Sequence, residues 1–207
     1  MIKKIHAKFS ATLLNALPVE RFKGRIITIS SRVDARHAVL YLLRQDILGF
    51  DTETRPQFRK GGRPNKVSIL QVATRGECFI FQLGASGVME AVKPLLEDNE
   101  VLKVALSWGD DIRALHTRLD YTPGTFLDIQ KLVGKVGIED LSLQKIYANL
   151  FGRKISKSQR LSNWDSPDLR PEQLTYAATD AWACIQMYEE LNRLLATGDY
   201  ELVGDDA

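Results

Sequence analysis

ILGFDTET, residues 47–54, starts apolar and ends on a pair of carboxylates. Side chains of a strand alternate between its faces, so Asp51 and Glu53 share one face while Phe50 and Thr52 point to the other. Taken alone, an Asp-x-Glu pair also reads as the polar end of an ordinary strand. Upstream lie a strand in RIITIS and a helix from about Val33 to Gln45. Downstream, a loop rich in Arg, Lys, Gly and Pro runs to Lys66. It leads into KVSILQVAT and ECFIFQL, two strands whose turn at Arg75-Gly76 predicts a hairpin. A helix in GVMEAVKPLLED, a strand in VLKVAL, a helix from about Asp110 to Leu119 and a short strand near Phe126-Leu127 follow. LSLQKIYANLF and PEQLTYAATDAWACIQMYEELNRLLA carry helical periodicity. A hairpin followed by alternating strands and helices implies an α/β fold, a mixed central β-sheet flanked by α-helices.

The chain has 207 residues, enough for one domain with a full core, and a formal net charge of +2. It is no bulk polycation, so any nucleic-acid contact must come from local patches. Residues 1–25 are basic and weakly patterned and read as an arm; 26–196 carry the regular pattern of one domain; 197–207 read as a disordered acidic tail. Cys78 and Cys184 lie in apolar contexts without metal or redox spacing, as buried thiols in a reducing compartment would. The N-terminal stretch is too interrupted by polar residues for a secretory segment, and no run approaches the ~18 apolar residues of a membrane span. These features place the protein in the cytoplasm with no membrane partner.

Two further acidic groups accompany the first: Asp110-Asp111 in VALSWGDDIRAL, and Tyr176 with Asp180 in TYAATDAW. On the last helix an apolar stripe of Leu174, Ala177, Ala178, Ala181, Ile185 and Tyr188 places Tyr176 and Asp180 one turn apart, away from the stripe's centre. That pair also fits the exposed side of an amphipathic helix. If the acidic stretches meet in one cleft, their carboxylates repel and raise one another's pKa unless cations neutralise them. Oxygen-only ligation suits Mg²⁺ or Mn²⁺, and this points to phosphoryl-transfer chemistry with two metal ions. His6, His37 and His116 share no ligand spacing, and GASG around Ser86 lacks the spacing of a nucleophile elbow.

The three acidic groups, in this order, resemble the DnaQ-like 3′–5′ exonuclease superfamily in its DEDDy branch, over roughly Ile47 to Leu191. Asp51 and Glu53 match the first motif and an aspartate after KVAL the second. Tyr176 with Asp180 matches the third, and the tyrosine argues against the branch that uses histidine there. KSQRLSNW, Lys157 to Trp164, is similar to a segment of the Werner-type exonuclease domains. RNase D shares the motifs but carries further C-terminal helical domains, for which these residues leave no room. For the second motif Asp111 fits better, because Leu115 follows it at the family's spacing; Asp110 would then favour the helix N-terminus.

The resemblance implies a ribonuclease H-like fold and a hydrolase that releases nucleoside 5′-monophosphates from 3′ ends. Asp51 would bridge two Mg²⁺ or Mn²⁺ ions, Glu53 and Asp180 would hold the ion that activates water, and Asp111 would help bind the second. Tyr176 would orient the attacking water as a neutral hydroxyl. Arg55, Arg59, Lys60, Arg63 and Lys66 after the first motif, and Lys157 and Arg160 before the third, either guide phosphates or are solvated loop charges. Trp164 either stacks on a base or pins its loop, with pinning the simpler role. The implied partner is a nucleic acid with a free 3′ end, DNA favoured over RNA. The alternatives are an RNase D-like exoribonuclease and a nucleic-acid-binding module without catalysis.

Overall fold

In the computed structural model, residues 2–59 and 61–204 are described; Lys60 of the basic loop lies outside them. In chain order the elements are β1 (Lys3–His6), α1 (Ala11–Ala16), β2 (Val19–Glu20), β3 (Arg25–Ile29), α2 (Arg32–Leu42), β4 (Ile47–Thr54), β5 (Val67–Ala73), β6 (Glu77–Gln82) and α3 (Val88–Glu97). Then come β7 (Leu102–Ala105), α4 (Trp108–His116), β8 (Phe126–Asp128), α5 (Gln130–Val133), a 3-10 turn at Gly134–Val136, α6 (Leu143–Phe151), β9 (Lys154–Ile155), α7 (Pro171–Thr197) and β10 (Tyr200–Val203).

Six strands form a mixed sheet in the order β3-β6-β5-β4-β7-β8. The β5–β6 hairpin pairs antiparallel, β4 runs antiparallel to β5, and the β3–β6, β4–β7 and β7–β8 pairs are parallel. Alternation along the strands builds two cores. Ile47, Ile69, Cys78, Ile80 and Val104 pack with α7, α5 and α6 on one face; Leu48, Phe50, Leu70, Val72, Phe79 and Phe81 pack with α2, α3 and α4 on the other. The expected α/β architecture is the observed one.

Helix α7 lies directly across β4. Gly49 makes this possible, since a Cβ there would sit 2.0 Å from the Ala181 carbonyl oxygen. Ala177, Ala178 and Ala181 are buried on the side that meets the sheet, so small residues on both partners bring backbone close to backbone. The apolar stripe read from the sequence packs against the core, but the covered side of α7 is wider than that stripe and takes in Ala183, Cys184, Met187 and Leu191. Asp180, expected away from the packed face, lies on this covered flank and is only 7% exposed.

The C-terminal end departs from expectation. Tyr200–Val203, within the tail expected to be disordered, pairs in parallel with Lys3–His6. Asn149 of α6 fastens β1, accepting from the His6 N–H at 3.0 Å and donating to the His6 carbonyl at 2.7 Å. The basic N-terminal stretch is docked as well: β2 pairs with β9, and the Phe22 N–H donates to Thr179 Oγ1 at 3.0 Å, beside Asp180. Among the described residues no helix is long and apolar enough to cross a membrane.

Candidate active site

The C-terminal end of β4 carries the site. Asp51 and Glu53 face α7, as alternation requires, and Asp180 on α7 faces them. One ligand oxygen from each of Asp51, Glu53 and Asp180 lies within 4.8 Å of the others. Pairing of β4 with β5 shifts register between Glu53 and Thr54, an irregularity immediately beyond the two carboxylates.

Asp111 approaches from the other side of the strand. Thr52, pointing away from Asp51 and Glu53, donates its hydroxyl to Asp111 Oδ1. Asp111 thus stands beside the three converging carboxylates rather than among them, but close enough to raise the pKa of Asp51 and Glu53. Asp110 points away: it is exposed and ion-pairs with Arg113 on its own helix. Of the two neighbours, Asp111 is the one beside the cluster.

The start of α4 is held by a residue that the sequence reading passed over. Asp128, at the end of β8, accepts from the N–H groups of Ser107 and Trp108, each at 3.1 Å, and from Gln130 N–H at 3.0 Å. Ser107 adopts φ 58°, left-handed backbone unusual for a non-glycine residue, and Gln130 Nε2 donates to its hydroxyl at 2.6 Å. These bonds hold a strained turn that aims Asp111 at the cleft. An Asp closing the strand FLD one helix after the second motif was the available signal.

Electrostatics of the cluster are those of a site built for cations. Burial, then repulsion from Asp180, Glu53 and Asp111, holds the Asp51 carboxyl well above its ordinary range. Burial, with Asp180 and Asp111 beside it, pushes Glu53 up to about 9. Asp180 rises to about 8 through burial, opposed by the Tyr176 hydroxyl and Lys157, and Asp111 to about 6. One buried Asp180 oxygen has no hydrogen-bond partner, and neither amide atom of fully buried Gln71 has one. Gln71 is the β5 residue opposite Asp51, and cross-strand partners share a face. Clustered carboxylates with an orphaned oxygen fit a divalent cation, which would favour their charged forms and take up the free lone pair.

Tyr176 stands one turn before Asp180, and its hydroxyl favours the charged form of that carboxyl. Burial and the surrounding carboxylates raise the tyrosine's pKa strongly, so its hydroxyl is neutral at physiological pH. Trp164 packs against Tyr176 with ring centroids 5.9 Å apart. It is 1% exposed and cannot stack on a base; its assignment to substrate binding is corrected to a packing role behind the tyrosine. Arg55 lies at the rim and pairs with Asp165 at 3.8 Å, while Lys157 and Arg160 act electrostatically on Asp180 and Glu53.

The sequence profile of a 3′–5′ exonuclease family matches residues 26–196. The chain belongs to that family. A 3′–5′ exonuclease of Arabidopsis thaliana is 29% identical over 196 residues, covering 86% of this chain and 67% of that protein. Mouse bifunctional 3′–5′ exonuclease/ATP-dependent helicase WRN is 27% identical over 194 residues, 89% of this chain but 14% of the mouse protein. Among solved structures, the EXO domain of Aedes aegypti Nibbler superposes with a TM-score of 0.78 at 24% identity, covering 88% of this chain and 95% of that one. Escherichia coli RNase D gives 0.70 at 17% identity, covering 86% and 52%. These likenesses identify the fold as that of the 3′–5′ exonuclease domains.

Proposed function

We propose that this exonuclease hydrolyses nucleic acids from their 3′ ends with the help of two divalent metal ions, Mg²⁺ or Mn²⁺, and that DNA is its preferred substrate. The observation that carries the reading is the convergence of Asp51, Glu53 and Asp180 within 4.8 Å, with Asp111 and Tyr176 beside them. Asp51, Glu53 and Asp180 would hold one ion, and Asp51 with Asp111 the second. When bound, such ions polarise water and the scissile phosphate and neutralise the charge that develops on the leaving oxygen.

The chain's own residues do the rest. Tyr176 orients the attacking water through its hydroxyl, and its raised pKa makes it a positioner rather than a base. Lys157 and Arg160 offset the negative field that would otherwise repel a phosphodiester from the carboxylates. Asp128 fixes the turn that presents Asp111. Two buried, unpaired cysteines suit the reducing cytoplasm.

The Werner-type segment from Lys157 to Trp164 supports DNA. RNA is the second reading, favoured by 26% identity over 183 residues to a bacterial ribonuclease D. Competition between matched DNA and RNA strands, with products separated by chromatography, tests both. Release of deoxynucleoside 5′-monophosphates at the higher kcat/KM supports DNA; preferential release of ribonucleoside 5′-monophosphates transfers the assignment to RNA.

A further inference from the structure

β3 closes one side of the six-stranded sheet, so only one of its edges is paired among the described residues. The Arg25 N–H donates to the Gly76 carbonyl at 3.0 Å, and the pairs of β3 with β6 continue from there without a register shift. Alternate residues of a strand turn their N–H and C=O groups to opposite edges, so Arg25, Ile27 and Ile29 bond to β6. The N–H and C=O groups of Ile26 and Thr28 are left on the outer edge, where no described residue bonds to them. Sheet edges are commonly blunted by lysine, proline or a bulge, and residues 26–29 carry none of these.

Beside this edge runs a groove of about 350 Å³ between β3 and α2. Ile27, Ala38, Tyr41 and Phe79 give it an apolar lining, with the rings of Tyr41 and Phe79 centred 5.6 Å apart. α2 adds Val33 and Leu40, which are 62% and 58% exposed. The free charges of this helix and of the turn after it are basic. Arg32, Arg36 and Arg44 are exposed with no carboxylate paired to them among the described residues, and His37 lines the groove. The acidic groups nearby are already engaged, Asp34 by the Ser31 hydroxyl at 2.6 Å and Glu77 by Arg25 at 3.8 Å.

We propose that the outer edge of β3 and the groove beside α2 dock an extended, acidic segment of a partner protein. The segment adds a strand to the sheet by bonding to the backbone of Ile26 and Thr28, seats alternate apolar side chains in the groove, and turns its carboxylates to the arginines. Two other occupants fit less well. A second copy pairing edge to edge would set Arg25, Arg32, Arg36 and Arg44 against like charges. A sugar–phosphate backbone brings acceptors for the N–H groups but no row of N–H donors for the carbonyls of Ile26 and Thr28. β3 lies three strands from β4, ~14 Å across the sheet, so a docked segment leaves the carboxylate cluster open.

Fluorescence anisotropy of a labelled ten-residue peptide that alternates valine and glutamate, titrated with the full chain, tests the docking; a peptide that alternates valine and lysine is the control. The glutamate peptide is expected to bind saturably and the lysine peptide not to bind. Thr28→Pro removes an N–H that β6 does not use, so the ladder is kept while the outer edge loses a donor, and Kd should rise about 5-fold or more. Arg36→Glu, on the exposed side of α2, should raise Kd about 3-fold or more, and it decides the matter even if Thr28→Pro fails to fold, which thermal unfolding reports. No saturable binding of the glutamate peptide, equal binding of both peptides, or an unchanged Kd in Arg36→Glu overturns the proposal. So does a parental dimer in sedimentation that Thr28→Pro dissociates, which assigns the edge to a second copy. Loss of oligonucleotide affinity in Arg36→Glu without peptide binding to the parent overturns it in favour of nucleic acid.

Discussion

Thr52 sits between the two carboxylates of the first motif and points away from both, yet its hydroxyl ties Asp111 to the end of β4. The exposed neighbour Asp110 spends its charge on Arg113. Asp111→Ala should therefore lower kcat by ~10²-fold or more, whereas Asp110→Ala should stay within a few-fold of the parent. Steady-state rates on a single-stranded substrate check this, and equal losses would refute the distinction. Tyr176→Phe keeps the ring against Trp164 and removes only the hydroxyl, so a loss of ~10²-fold in kcat with little change in KM is expected if it orients water. An unchanged kcat removes that role. The carboxylates and the tyrosine were legible through the ordered set of three motifs and its resemblance to a family; alternation and helical spacing only paired Asp51 with Glu53 and Tyr176 with Asp180. Asp128 and Thr52 were not, because their work is hydrogen bonding across elements distant in sequence. Trp164 was ambiguous because an aromatic in a loop reads the same whether it is buried or bare.

At the scale of elements, the close seat of α7 on β4 decides whether the site exists. Gly49→Ala places a methyl group 2.0 Å from the Ala181 carbonyl, so the helix must move away from the strand. Overpacking of this kind costs about 1–3 kcal/mol. Since Asp180 adjoins Ala181, activity should fall by up to ~10²-fold through misplacement alone. Thermal unfolding and kcat measured together would show both losses; a variant with parental kcat would mean that the helix position is not critical. The six-stranded sheet was readable from runs of branched and aromatic residues with clear turn signals. The width of the covered side of α7 was not, because Asp180 lies on a flank of the stripe, beside Cys184, Met187 and Leu191, that only the packed neighbours close off from solvent. The short strands β1, β2, β9 and β10 escaped for another reason: segments of two to four residues carry no period, and their partners lie far along the chain.

Over the whole molecule, the paired chain ends and the acidic cluster act on stability in different ways. Asn149→Ala removes both bonds to the His6 backbone and leaves partly buried groups unpaired, so a loss of ~1–2 kcal/mol is expected in denaturant unfolding. A smaller change would mean that β1 and β10 contribute little to global stability. The carboxylates give a pH signature. Asp111, Asp180 and Glu53 have folded pKa values near 6, 8 and 9, above ordinary values of 3.8 for Asp and 4.5 for Glu. A folded state that binds protons more tightly than the unfolded state is most favoured below the unfolded pKa, and loses that advantage as pH rises through the folded pKa. The Tm of the metal-free protein should accordingly fall between about pH 4 and pH 9. Saturating Mn²⁺ should raise Tm most at the alkaline end, since it binds the native charged cluster. Asp180→Asn should flatten the profile and weaken the metal effect; a flat parental profile would contradict the assigned proximity of these groups.

A time course on a 5′-labelled single-stranded oligonucleotide, with Mg²⁺, Mn²⁺ or EDTA and with Asp51→Ala in parallel, tests the central claim most directly. The expected result is a ladder that shortens stepwise from the 3′ end with either metal and stops in EDTA and in the variant. Intact substrate under all conditions, or shortening that persists in EDTA or in Asp51→Ala, would contradict it.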